Sequence, residues 1–84
     1  MKKPAQLKLM WSHLKAGSTV KVRDRKLNMW GELYIYWRGG RYWLGCCHFG
    51  SSAAKPKFRN LVWFVNHWFD YRYKDITQEN WGIE

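Results

Sequence analysis

Cysteine, acidic residues and long apolar runs are all scarce in this 84-residue chain. The two cysteines, Cys46 and Cys47, are adjacent, and neighbours on a strand point to opposite faces, so they cannot form an ordinary structural disulfide. This cysteine usage is typical of a reduced intracellular protein, and we expect a cytoplasmic one. The apolar stretch 61–65 is far shorter than the ~20 residues of a membrane span, so we expect no membrane partner.

The shortage of acidic residues leaves a strong and uneven positive charge. Six acids oppose fifteen lysines and arginines, which gives a net charge of +9. Residues 1–59 carry thirteen of these cations against Asp24 and Glu32, a local charge of +11, whereas residues 60–84 are mildly acidic. Such a field favours an anionic partner, either nucleic acid, an acidic protein surface or anionic lipid.

Aromatic residues are abundant where other types are scarce. Seven Trp, five Tyr and four Phe are more than one small core needs, and a chain of 84 residues is too short for a second core. We therefore expect a single domain over residues 1–84 with several exposed rings. Exposed rings usually mark contact surfaces.

The apolar spacing predicts an α+β fold with an N-terminal helix, a three-stranded antiparallel sheet and a C-terminal helix packed on one sheet face. Pro4 suits the first turn of a helix, Gly17 suits its end, and Asn60 suits the N-cap of the second helix. Trp81 is expected to hold the tail against the body. The predicted elements are a helix over 4–16, strands at about 18–25, 29–38 and 41–49, a loop over 50–59, a helix over 60–73 and an irregular tail over 74–84.

Gly39 and Gly40 predict a tight hairpin turn between the second and third strands. A two-residue turn sets the cross-strand pairs as Arg38 with Arg41, Trp37 with Tyr42, Tyr36 with Trp43, and Ile35 with Leu44. Alternation then assigns one face to the core, with Val20, Val22, Leu33, Ile35, Trp37, Tyr42, Leu44 and Cys46. The opposite face carries Lys21, Arg23, Tyr34, Tyr36, Arg38, Arg41 and Trp43.

Cations and flat rings on one face suit a polyanion with stackable bases. The leading hypothesis is a small non-catalytic nucleic-acid-binding module, with DNA slightly favoured over RNA. The alternative for this face is that the N-terminal helix covers it and the rings pack as core. The predicted nucleic-acid-binding residues are Lys21, Arg23, Arg25, Tyr34, Tyr36, Arg38, Arg41, Trp43, Lys55 and Lys57.

Metal binding and catalysis have little support in the pattern. Cys46, Cys47 and His48 lack the second ligand pair of a structural zinc site, so Cys46 is expected in the core and no metal or other cofactor is expected. His67 and Asp70 suit a hydrogen bond on a helix surface at least as well as a base with its orienting group. We therefore expect no enzyme.

The segment from Trp30 to Gly45 resembles the hairpin of the AP2 and integrase-arm type of DNA-binding domain. These domains lay a three-stranded sheet in the major groove and back it with a helix. The resemblance covers under a quarter of the chain and implies an outward role for Arg38, Arg41 and Trp43.

The rival hypothesis is a non-catalytic interaction protein. In size and charge the chain also looks like small phage or mobile-element accessory proteins, including inhibitors of host defence systems. Such a protein would dock on an acidic host protein or a nucleoprotein complex. Trp63, nearly opposite the apolar stripe of the second helix, is the ring most expected to be exposed for that purpose.

Overall fold

The computed structural model describes residues 5–46, 56–72 and 75–84. The elements are α1 (Ala5–Lys15), β1 (Val20–Arg23), β2 (Trp30–Arg38), β3 (Arg41–Cys46), α2 (Phe58–Phe69) and β4 (Trp81–Ile83). The strands form one antiparallel sheet in the order β3-β2-β1-β4. The predicted α+β class is confirmed, but the predicted number of strands is wrong, because a fourth strand lies in the tail that was expected to be irregular.

The β2–β3 hairpin has the predicted register. Gly39 and Gly40 both have positive φ, at 61° and 79°, which a two-residue turn between twisted strands requires and which glycine adopts without steric cost. Arg38 pairs with Arg41, and Tyr36 pairs with Trp43. The hairpin therefore separates the side chains of β2 and β3 into the two predicted faces.

β4 pairs with β1 and makes β1 an interior strand. Val20 lies opposite Ile83 and Val22 lies opposite Trp81. The indole N–H of Trp81 donates a 2.7 Å hydrogen bond to Gln6 Oε1 on α1, so this ring does hold the tail against the body. A three-residue strand has too little pattern to be found from sequence, since its stability comes from the neighbouring strand rather than from local preference.

Both helices pack on the same face of the sheet. Leu7, Met10 and Leu14 of α1 join the buried side chains of α2 in a single apolar cluster with the core face of the strands. The fully buried members from the sheet and α2 are Val20, Val22, Leu33, Leu44, Cys46, Leu61, Phe64, Val65 and Phe69. The result is two layers, a helical one and a sheet, with the core between them. Neither described helix is long and apolar enough to cross a membrane.

α2 begins and ends earlier than the sequence predicts. Asn60 is not the N-cap but lies inside the helix, where its side-chain oxygen accepts a 3.2 Å hydrogen bond from the backbone N–H of Lys57. The helix ends at Phe69 because Asp70 adopts a left-handed conformation, with φ of 59°. Phe58 and Arg59 therefore belong to the helix rather than to the predicted loop, whose first part lies outside the described residues.

The face assignment was right for Trp37 and Tyr42, but these rings are not core. The hairpin extends past the end of α1, which leaves 61% of Trp37 and 56% of Tyr42 exposed, packed edge-to-face with centroids 4.8 Å apart. Ile35 is only partly buried for the same reason, at the margin of the core. The core of the hairpin is formed instead by Leu33, Leu44 and Cys46.

Truncation of Leu44 should destabilise the protein more than truncation of Ile35, because Leu44 lies in the core and Ile35 lies at its margin. We expect Leu44→Ala to lower the free energy of unfolding by ~2–5 kcal/mol, because it leaves a cavity at a fully buried position. Ile35→Ala should cost clearly less, since this side chain already contacts solvent. Urea denaturation of both variants measures the difference, and equal losses would contradict the observed limit of the core.

Candidate nucleic-acid interface

The side of the sheet that faces away from both helices is here called the outer face. Alternation in the observed register puts the even-numbered residues of β2 on this face, together with their neighbours on β1 and β3. Its members are Lys21, Arg23, Trp30, Glu32, Tyr34, Tyr36, Arg38, Arg41 and Trp43, none of which is fully buried. Of the described helices, neither lies over it, because both contribute to the core on the other side.

The hairpin end of the outer face combines two cations with a fixed indole ring. Trp43 Nε1 donates a 2.8 Å hydrogen bond to the backbone oxygen of Arg38 across the turn. The Arg41 guanidinium lies over the same ring, 5.4 Å from its centroid. The indole is therefore held at its edge and polarised by a cation while remaining partly exposed.

Tyr36 and Tyr34 continue the aromatic surface toward the middle of the sheet. Their ring centroids are 5.7 Å apart, at an interplanar angle of 50°. The Tyr36 ring lies across Gly45 on β3, where an added β-carbon would come within 2.5 Å of Tyr36 Cε1. A glycine at this position gives the ring room to lie flat against the strand.

The other end of the outer face has a third aromatic site that the sequence analysis did not include. Trp30 lies opposite Arg23, and its ring is approached by Lys21 Nζ at 5.3 Å and by the Arg23 guanidinium at 5.7 Å. Alternation along β2 indicates this position of Trp30, because residue 30 is even-numbered like Tyr34 and Tyr36 and therefore lies on the same face. The outer face thus has a cation and ring cluster at each end.

A pair of carboxyl groups lies between these two clusters. The pKa of Glu84 is raised from its ordinary value by a hydrogen bond with the Glu32 side chain and by the negative charge of Glu32, and Lys21 opposes the shift. The backbone N–H of Glu84 donates a 3.0 Å hydrogen bond to the oxygen of Thr19, which extends the pairing of β4 along β1. The sequence could not indicate this pair, because β4 itself was not predicted.

The raised pKa of Glu84 makes the stability of this edge depend on pH. The folded state favours the protonated form of Glu84. The contribution of the carboxyl pair to the stability of the fold is therefore fully present below the unfolded pKa of 4.5. It is lost as the pH rises through the raised pKa of the folded state. We expect Glu84→Gln, which mimics the protonated acid, to melt at a higher temperature than the parent protein at pH 7. The two proteins should melt together at pH 4.

The matched control is Glu79→Gln, which removes the same charge from an exposed position outside the strands. Melting temperatures at pH 4 and pH 7 for all three proteins check the expectation. An equal gain in both variants would assign the effect to net charge rather than to the carboxyl pair.

The remaining predicted binding residues are not part of the outer face. Arg25 lies in the turn after β1, with its guanidinium 5.4 Å from the centroid of the buried Tyr71 ring. Burial raises the pKa of the Tyr71 hydroxyl, and the charge of Arg25 partly offsets this rise. Lys57 is exposed directly before α2 in the helical layer. Lys55 lies outside the described residues.

The residues considered for metal binding and catalysis do not form a cluster in the described part of the chain. Cys46 is buried in the core as predicted, whereas Cys47 and His48 lie outside the described residues. A further histidine, His13 on α1, lies near Trp81, with ring centroids 6.2 Å apart. Within residues 5–46, 56–72 and 75–84, no group of three or more His, Cys, Asp or Glu side chains could hold a metal ion.

Trp63 is exposed on α2, as the sequence predicts, with 45% of its surface accessible. His67 stacks on it, with centroids 4.5 Å apart and planes 15° from parallel. His67 therefore contributes to an aromatic patch on the helical layer, one turn along from Trp63. This patch lies on the other side of the molecule from the outer face.

Searches with this chain found no matching protein family, no matching curated protein and no matching solved structure. The likeness to AP2 and integrase-arm domains therefore rests on the hairpin pattern alone.

Proposed function

We propose that this protein binds nucleic acid, preferably duplex DNA, with the outer face of its sheet. The observation that carries the proposal is the direct cross-strand pairing of Arg38 with Arg41 on a face that neither described helix covers. Like charges directly opposite each other in a sheet oppose folding. Phosphate groups between or beside the two guanidinium groups would neutralise both charges. The relief of their repulsion would then add to the free energy of binding.

The rings give the same face a second means of contact. Tyr36 and Trp43 lie opposite each other beside the arginine pair, and the indole is fixed by its hydrogen bond to Arg38. A ring held in one orientation loses little conformational entropy when a base or sugar packs on it. Phosphate contacts would supply most of the affinity, and the rings would add to it.

A salt titration tests the proposal. We expect the protein to bind a mixed-sequence 20-base-pair duplex, with a slope of log K against log salt of roughly −3 to −5 if about four to six phosphates are neutralised. Fluorescence anisotropy of a labelled duplex between 50 and 200 mM salt measures the slope. Absence of binding at 50 mM salt, or a slope near zero, would overturn the proposal.

Trp43 and Trp63 form a matched pair of exposed rings on the two sides of the molecule. We expect Trp43→Ala to weaken binding by ~1–3 kcal/mol through loss of a stacking surface. Trp63→Ala should leave duplex binding unchanged, because this ring lies on α2. Affinities are compared per folded molecule, with the folded fraction measured by circular dichroism. A loss in Trp63→Ala alone would place the interface on the helical layer.

A second candidate function is docking on an acidic host protein or nucleoprotein complex through the patch of Trp63 and His67, as an accessory or inhibitor protein of a phage or mobile element would do. The observation that favours it is the exposure of this stacked ring pair on α2. Aromatic residues dominate protein hot spots. Retention of a partner from nuclease-treated lysate by the parent protein, and its loss in Trp63→Ala, would support this function.

A further inference from the structure

The turn between β1 and β2 exposes apolar side chains at the end of the sheet farthest from the Gly39-Gly40 hairpin. Leu27 is 54% exposed and Met29 is 51% exposed. Trp30, which follows directly, is a member of the outer face. Exposed aliphatic side chains at a turn are unusual, because turns generally carry polar residues. Leu27 and Met29 are here called the tip.

The backbone of this turn is fixed rather than loose. Asp24 is buried, and its Oδ1 accepts hydrogen bonds from the backbone N–H groups of Lys26, at 2.7 Å, and Leu27, at 2.6 Å. The backbone N–H of Asp24 in turn donates to the oxygen of Met29 at 2.7 Å, which closes the turn. The backbone of the tip is therefore held by hydrogen bonds within the turn, and little backbone entropy is lost when it binds.

Four cations lie in the turn or on the strand that leads into it. Arg25 and Lys26 lie within the turn, and both are exposed, with Arg25 over the Tyr71 ring and Lys26 Nζ 4.0 Å from Asp70 Oδ1. Lys21 and Arg23 lie behind it on the outer face, against the ring of Trp30. Positive groups in the turn and in the strands next to it, beside two aliphatic side chains, are complementary to a partner that offers negative charge outside and an apolar interior. Stacked bases between phosphate chains have this arrangement.

We propose that Leu27 and Met29 act as a wedge that enters a duplex between two base pairs, unstacks that step and bends the nucleic acid. The inference rests on the proposed function, because the turn lies at the end of the two strands that carry Arg23 and Trp30 of the outer face. In this arrangement, the cations of the tip contact the phosphates on either side of the opened step. The bend then brings more of the duplex onto the outer face.

A protein that opens a base step should prefer mismatched duplexes, whereas a protein that binds only the duplex surface should not. Opening a step costs less where base pairs are already mismatched, so the protein should bind a duplex with a central two-base mismatch on the order of tenfold tighter than the fully paired duplex. The double variant Leu27→Ser with Met29→Ser should lose this preference. It should keep the salt slope of the parent protein, because every cation is retained.

The experiment measures affinity and bending together, on 24-base-pair duplexes with fluorophores at both ends. We expect energy transfer to rise when the parent protein binds and to stay near the free-duplex value when the double variant binds. Leu9→Ser is the control, since Leu9 is an exposed leucine on α1 in the helical layer. Circular dichroism confirms that all three proteins are folded.

The possible outcomes separate this inference from the proposed function. Binding by the parent protein without bending or mismatch preference would overturn the wedge and leave the outer-face interface intact. No binding of any duplex would overturn both. An anionic lipid surface also combines negative charge with an apolar interior. A parallel titration with vesicles that contain phosphatidylserine tests this partner. Vesicle binding that needs Leu27 and Met29, without duplex binding, would assign the tip to a lipid surface.

Discussion

Replacement of Arg38 and Arg41 together by glutamine is expected to weaken duplex binding tenfold or more, and to make the slope of log K against log salt shallower by about two units. The reason is that both side chains lie beside the hairpin turn on the outer face, directly opposite each other. Folding should not suffer, because the variant also removes a like-charge pair. Anisotropy titrations at several salt concentrations and thermal melts measure the two effects.

The control for this variant removes the same charge from the helical layer. Lys8 and Lys15 are exposed on α1, and their joint replacement by glutamine leaves the outer face unchanged. If the arginine pair contacts phosphates, the lysine variant retains most of its affinity. Equal losses in the two variants would mean that binding follows net charge alone. A lowered melting temperature with unchanged affinity in the arginine variant would reverse the assignment of the faces.

Gly31→Ala is expected to lower the free energy of unfolding by ~1–3 kcal/mol or more, although alanine is normally tolerated in a strand at least as well as glycine. Gly31 lies on the core face of β2, and an added β-carbon would overlap the Phe69 ring and come within 2.8 Å of Phe69 Cζ. Phe69 is fully buried at the end of α2, so its ring has no free space to enter. Chemical denaturation measures the loss.

Two further variants show whether this close approach is the cause. Phe69→Leu removes the overlapping ring, so Gly31→Ala should cost less in the Phe69→Leu background than in the parent protein. Gly82→Ala on β4 is the matched control, because its β-carbon would meet only the flexible end of Lys21 at 3.3 Å. We expect that variant to be nearly neutral. Additive losses in the Gly31 and Phe69 double variant would exclude a steric origin.

Local sequence patterns made the hairpin and α1 predictable. The turn at Gly39-Gly40 sets the whole register of β2 and β3, because two residues with positive φ leave a single way to pair the flanking strands. α1 has eleven residues, and its three buried side chains, Leu7, Met10 and Leu14, follow the three- and four-residue spacing of a helix. Both features depend on residues that are close in sequence.

The composition of the candidate interface was only partly predictable. Alternation from the turn correctly gave the face shared by Tyr36, Trp43 and the arginine pair. It did not give the carboxyl pair of Glu32 and Glu84, which requires β4 to dock on β1 across more than fifty residues of sequence. Nor did it show that Trp37 and Tyr42 are exposed, because their exposure depends on where α1 ends relative to the hairpin.

The sequence by itself therefore determined α1, the α+β class, the hairpin register and the concentration of positive charge in residues 1–59. The tertiary structure alone decided that both helices cover the same face and that a fourth strand pairs with β1 as the edge of the sheet. It also decided that Phe69 lies against Gly31. The physical reason is that turns and periodic stripes depend on neighbouring residues. Layer order and close packing depend instead on how all the apolar surfaces of the chain are buried at once.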